Sequence, residues 1–132
     1  MQIFPNLSVE SIPRTRDFFQ GLGFSFNQQF SGEDALCLII NDQCSIMLLS
    51  RSHFQSFTSK EIINPQSEIQ CMLALFVKSK VEVDSLMGKA IQLGATETQK
   101  KIDLGFMYSR GFSDLDGHVW EIGWYDPSEI QS

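Results

Sequence analysis

A repeated order of elements constrains this chain more than anything else in it. Residues 3–9 read as a strand, and Ser11 followed by Pro13 opens a helix through Phe18, Phe19 and Leu22, because serine caps a helix start and proline is tolerated in a first turn. Gly21 and Gly23 end it. Three strands follow: residues 24–30 by alternation of apolar and polar side chains, then residues 35–40 and 46–49 as apolar runs with the turn-forming pair Asn41 and Asp42 between them. After a polar stretch the order returns, with a strand over 71–77, a helix over 81–93 stopped by Gly94, and strands over 95–101, 106–112 and 119–124. Leu22-Gly23 answers Leu93-Gly94 at an offset of 71 residues, and Asp42 to Met47 answers Asp116 to Glu121 at an offset of 74. Two βαβββ units result, and each alone exposes one face of its helix and sheet, so each needs a partner.

Length and composition agree with one domain built of two modules. The chain has 132 residues, 42% hydrophobic and 20% charged, which is the make-up of a folded globule and not of a disordered chain. No apolar stretch approaches the ~20 residues of a membrane span, so no membrane partner is expected. Sixteen Asp and Glu against ten Lys and Arg give a net charge of −6, a field that repels phosphate backbones, so nucleic acid is excluded as a partner. Three cysteines in no metal-binding spacing, and an N-terminus without the basic start and apolar core of a signal peptide, point to a reducing, cytoplasmic compartment. Cys37 and Cys71 are expected in the core and Cys44 near a turn. Gly88, inside a predicted helix, suggests close packing there. Eleven Phe need a core or an apolar cavity to hide in.

The duplication, together with Asn6-Leu7-Ser8-Val9, Arg16-Asp17-Phe18-Phe19, Leu22-Gly23-Phe24 and the closing Asp114-Leu115-Asp116-Gly117-His118-Val119-Trp120-Glu121, resembles the vicinal oxygen chelate superfamily, the glyoxalase, bleomycin-resistance and extradiol dioxygenase group. The resemblance covers nearly the whole chain. It implies an α+β fold in which two βαβββ modules, residues 1–50 and 69–126, form a U-shaped mixed sheet around a cavity, with a connection over 51–68 and a tail over 127–132. It also implies metal ligands on the first and last strand of each module. Those positions fall on Phe4, Met47, Met72 and Glu121, of which only Glu121 can ligate, whereas a divalent ion needs three or four converging donors.

Alternation puts Val119, Glu121 and Gly123 on one face of the last strand and Trp120, Ile122 and Trp124 on the other, against the helices. The cavity face then holds Met72, Phe76 and Met47 with a single carboxylate, Glu121, which is either paired with a cation or acts as an acid or base. Arg110 is the expected partner. Tyr108 and Arg110 share a face with Phe106 and Phe112 and are expected to hold an anionic or carbonyl-bearing ligand, with Tyr108 and Glu121 the candidate catalytic pair. His53, beside Phe54 and Phe57, becomes a lid residue if the connection covers the cavity mouth. His118 lies in the turn and reads as structural. The expected function is binding of an apolar or aromatic small molecule without cofactor. The alternative is a lyase resembling lactoylglutathione lyase, or an extradiol dioxygenase, using Zn, Ni, Mn or Fe at Glu121. Edge strands and the resemblance both imply a homodimer.

Overall fold

The computed structural model of the protein describes residues 1–98 and 100–129. The chain divides into two compact units, Met1–Ile62 and Ile63–Ser132, here called modules 1 and 2. Module 1 runs β1 (Asn6–Val9), α1 (Ile12–Gly21), β2 (Ala35–Ile39), β3 (Ser45–Ser50) and a short α2 (Arg51–Gln55). Strand β3 is central, parallel to β1 and antiparallel to β2. Module 2 runs β4 (Met72–Phe76), α3 (Lys80–Gln92), β5 (Thr96–Glu97), β6 (Ile102–Asp103), β7 (Met107–Ser113) and β8 (Val119–Tyr125), in the order β4-β8-β7-β5 with β6 also paired to β7. Among the described residues no helix is long and apolar enough to cross a membrane.

Hydrogen bonds make the duplication visible atom by atom. Ser11 and Ser79, 68 residues apart, each cap a helix by accepting from the third residue onward, Arg14 and Glu82. Both helices end alike: the N–H of Phe24 reaches the Phe19 carbonyl at 3.0 Å, and that of Ala95 reaches the Ala90 carbonyl at 2.9 Å. Gly23 and Gly94 make this possible at φ 100° and 106°, the left-handed conformation that such a cap demands. Gly21 is simply the last helical residue. The hairpins follow at an offset of 74, where Ile39 pairs with Ser45 and Ser113 with Val119.

One expected strand is almost lost. Over residues 24–30 only Phe26 pairs, in a single bridge to Leu38, the counterpart of Glu97 paired to Phe112 in β5. The Asn27 side chain then accepts from the Gln29 N–H, and Gln28–Phe30 coils into a tight helical turn, so a local side-chain bond displaces the strand. The strand expected over 95–101 is shortened to Thr96–Glu97, and residue 99 lies outside the described residues.

Each module buries one sheet face under its long helix. In module 1 the Phe18 and Phe19 side chains of α1 are buried, as are Leu36, Leu38, Ile46 and Leu48 of β2 and β3. In module 2, Val83, Met87 and Ala90 of α3 lie over β7 and β8, where Phe112 and Trp120 stack at 6.4 Å and Ile122 is sealed. Cys37 is buried as expected, but Cys71 is exposed because it precedes β4 and has no covering element in its own module. Gly88 is exposed as well, with nothing within 4 Å of where a Cβ would stand, so no close packing explains it.

The Asp114 to His118 segment owes its form to one buried carboxylate. Asp114 Oδ1 accepts the backbone N–H groups of Asp116, Gly117 and His118, and Oδ2 accepts the Trp120 indole N–H at 2.9 Å. Gly117 has φ 102°, and a Cβ there would meet the Pro65 carbonyl oxygen at 2.5 Å, so the chain at 65–66 passes where a side chain would be. Burial pushes the Asp114 carboxyl above its ordinary range, while the His118 charge and the indole bond pull the other way.

Two substitutions test this account. Gly88→Ala fills open space on an exposed helix face and is expected to stabilise the protein by ~0.5–1 kcal/mol in urea unfolding; destabilisation would show a contact at that face. Asp114→Ala removes the carboxylate that accepts from four N–H groups, one of them the buried indole, and is expected to cost about 3 kcal/mol. A near-neutral Asp114→Ala would mean that the turn holds without its carboxylate.

Candidate functional site

Paired strand residues point to the same side of a sheet, so the register fixes the face of each side chain. Along β4 and β8, Met72 pairs with Val119, Ala74 with Glu121 and Phe76 with Gly123; along β7 and β8, Gly111 pairs with Glu121 and Met107 with Tyr125. Glu121 therefore stands between two small residues, Ala74 and Gly111, on the face away from α3. The Phe76 ring lies over Gly123, where an added Cβ would meet its Cε1 at 2.8 Å, and makes an edge contact with Tyr125 at 5.5 Å between centroids. Met72, Phe76 and Tyr125 are 63%, 51% and 40% exposed, an apolar row around a half-buried carboxylate. The Glu121 side chain has no hydrogen bond or ion pair with another described residue. Tyr125 was missed by ending the last strand at residue 124; one further step of alternation finds it.

Tyr108 and Arg110 lie on the opposite face. Arg110 pairs in register with Ile122, one residue out of phase with Glu121, so the expected Arg110 to Glu121 pair cannot form. The guanidinium instead donates Nε and Nη2 to the Glu97 carboxylate at 2.9 and 3.0 Å and Nη1 to Asp84 Oδ1 at 2.9 Å. Tyr108, only 4% exposed, donates its hydroxyl to the same Asp84 oxygen at 2.6 Å. The Lys80 ammonium lies 5.8 Å from the Tyr108 ring and 5.6 Å from that of Trp124, and the Lys101 ammonium 5.9 Å from Tyr108. These bonds tie α3, β5 and β7 together on the helix side, so Tyr108 does not stand beside Glu121 as a catalytic partner. Asp84 and Glu97 were not among the sequence candidates; only the register, which brings β5 beside β7, singles them out.

The remaining candidates belong to module 1. Met47 pairs with Cys37 as Glu121 pairs with Gly111, at the same offset of 74, so the two are equivalent positions. Phe4 precedes β1 and is partly exposed, next to Pro5, whose carbonyl accepts the Met47 N–H at 2.8 Å. His53 lies in α2, its ring edge-on to the exposed Phe57 at 5.1 Å, and α2 rests against β1 and β3.

A divalent metal does not fit what these positions offer. Of Phe4, Met47, Met72 and Glu121 one alone carries an oxygen donor, and no group of three His, Cys, Asp or Glu suited to a metal occurs among the described residues.

The helix-side network carries a pH dependence. Hydrogen bonds from Tyr108 and then Arg110 hold the Asp84 carboxyl below its ordinary 3.8, and Arg110 holds Glu97 below 4.5. Depressed folded-state pKa values stabilise the protein above those of the unfolded chain, and that stabilisation is lost as pH falls from about 4.5 through the folded values. Arg110→Met is therefore expected to lower Tm at pH 7 and to lower it less at pH 3. An equal drop at both would assign the loss to packing alone.

No family model matches the sequence, and no curated protein does. Solved structures do. Hypothetical protein SA1046 from S. aureus shares 26% identity, covering 94% of this chain and 93% of its own, with a TM-score of 0.79. A glyoxalase/bleomycin resistance protein/dioxygenase family enzyme from Burkholderia phytofirmans PsJN shares 20%, covering 92% and 96%, at 0.76. The fosfomycin resistance protein FosX from Listeria monocytogenes shares 17%, covering 98% and 96%, at 0.71. The repeated module order and these likenesses together give the chain the glyoxalase/bleomycin-resistance fold.

Proposed function

We propose that this protein is a glyoxalase/bleomycin-resistance-like small-molecule-binding protein that takes an apolar or aromatic ligand without a complete metal site. The observation that carries the reading is the face of β4 and β8, where Met72, Phe76 and Tyr125 are exposed together beside the lone carboxylate of Glu121. Exposed aromatic and thioether side chains in one row are costly to leave wet, and they supply the stacking surface that a flat ligand needs. The metal-poor positions support binding over metal-assisted lyase or dioxygenase chemistry. A homodimer and a reducing, cytoplasmic compartment belong to the same proposal.

The test is a titration of the purified chain with N-phenyl-1-naphthylamine, whose fluorescence rises in an apolar site. Enhancement with a rise in Tm, unchanged by EDTA and weakened about tenfold by Phe76→Ala, is the expected result. Stoichiometric Zn, Ni, Mn or Fe in the purified protein, lost on Glu121→Ala, would overturn it in favour of the metal enzyme.

A further inference from the structure

We propose that the ligand taken at Glu121 is an organic cation: a protonated amine, amidine or quaternary ammonium on a flat apolar body. This rests on the binding reading above and adds the sign of the charge, which is the reverse of what Tyr108 and Arg110 suggest when read from sequence. Charge complementarity carries it. The residues paired in register on the strand face that holds Glu121, from Met72, Ala74 and Phe76 of β4 to Gly111 of β7, include no basic side chain. Three cations of module 2 are engaged on the helix side. Arg110 is held by Asp84 and Glu97, Lys80 by Asp103 at 3.2 Å and by the Tyr108 and Trp124 rings, and Lys101 lies over Tyr108. Glu121 is left with no partner among the described residues, while Ala74 and Gly111 on either side leave room above the sheet for a ligand's charged group.

The aromatic groups suit the same ligand. Gly123 follows Glu121 by two residues, about 7 Å along a strand, and the Phe76 ring lies over it against Tyr125. A cation at the carboxylate thus sits beside π faces, the combination that attracts ammonium groups, and a flat body attached to it reaches the two rings. An anion would meet repulsion from Glu121 here and from the overall charge of −6.

The experiment is calorimetric titration of the whole protein with three probes on one aromatic frame: 1-methylquinolinium, 1-methylnaphthalene and 1-naphthoate. The cation is expected to bind about tenfold more tightly than the neutral probe, with naphthoate weakest, and the preference is expected to shrink with added salt. Glu121→Gln, checked for an unchanged Tm, is expected to bring the ratio of cation to neutral affinity to about one. Equal affinity for cation and neutral probe in the native protein would overturn the cation assignment and leave the binding function standing. Binding of none of the three would overturn both.

Discussion

The pairing of β7 with β8 decides where Arg110 and Glu121 of module 2 point. A strand turns successive side chains to opposite faces, so a register in which Gly111 meets Glu121 must send Arg110 to the helix side and Glu121 to the other. That register is held at the turn by Asp114, whose carboxylate gathers three backbone N–H groups and the Trp120 indole before β8 begins. A slip of one residue would bury Glu121 against α3 and expel Trp120, at a cost no ligand contact offsets. The site is thus a by-product of how the core is sealed.

The two modules solve one packing problem in two ways. Leu36 of module 1 occupies the position of Arg110, 74 residues on, and Phe26 that of Glu97, 71 residues on. In module 1 these residues fill the layer between sheet and helix with buried apolar side chains; in module 2 the same layer carries a carboxylate, a guanidinium and a second carboxylate at its rim. An apolar layer is insensitive to pH, whereas the ionic rim loses strength once Asp84 and Glu97 protonate. This layer of module 2 is thereby acid-sensitive at its rim, where that of module 1 is not. Its long helix has three more residues than that of module 1, which accounts for the growth of the offset from 68 at the caps to 71 at the helix ends.

What was legible in the sequence was whatever short-range chemistry decides. The Ser11 cap, positive-φ glycines at helix ends and the apolar runs of β2, β3, β4 and β8 each announce themselves within a few residues. Residues 24–30 failed because their alternation competes with the Asn27 side chain, which offers the backbone a turn. The faces of Tyr108 and Arg110 failed for a different reason: period-2 reading within a strand gives two faces but not which of them meets the helix, and only pairing with β8 settles it. Cys71 and Gly88 followed composition rules that hold on average and are overridden where a strand edge or a helix face meets solvent.

The ring of Phe76 lies where Gly123 has no side chain, so its tilt against the sheet is set by an atom that is absent. A methyl group at position 123 would lift the ring toward solvent and away from Tyr125, with the carboxylate two residues away left untouched. Glycine here works as a recess that seats an aromatic plate, and in the proposed binding function the depth of that recess would set the thickness of the molecule held, independently of its charge. If the proposed binding function holds, size and sign of the ligand would thus be set at neighbouring positions of one strand, each open to change without the other.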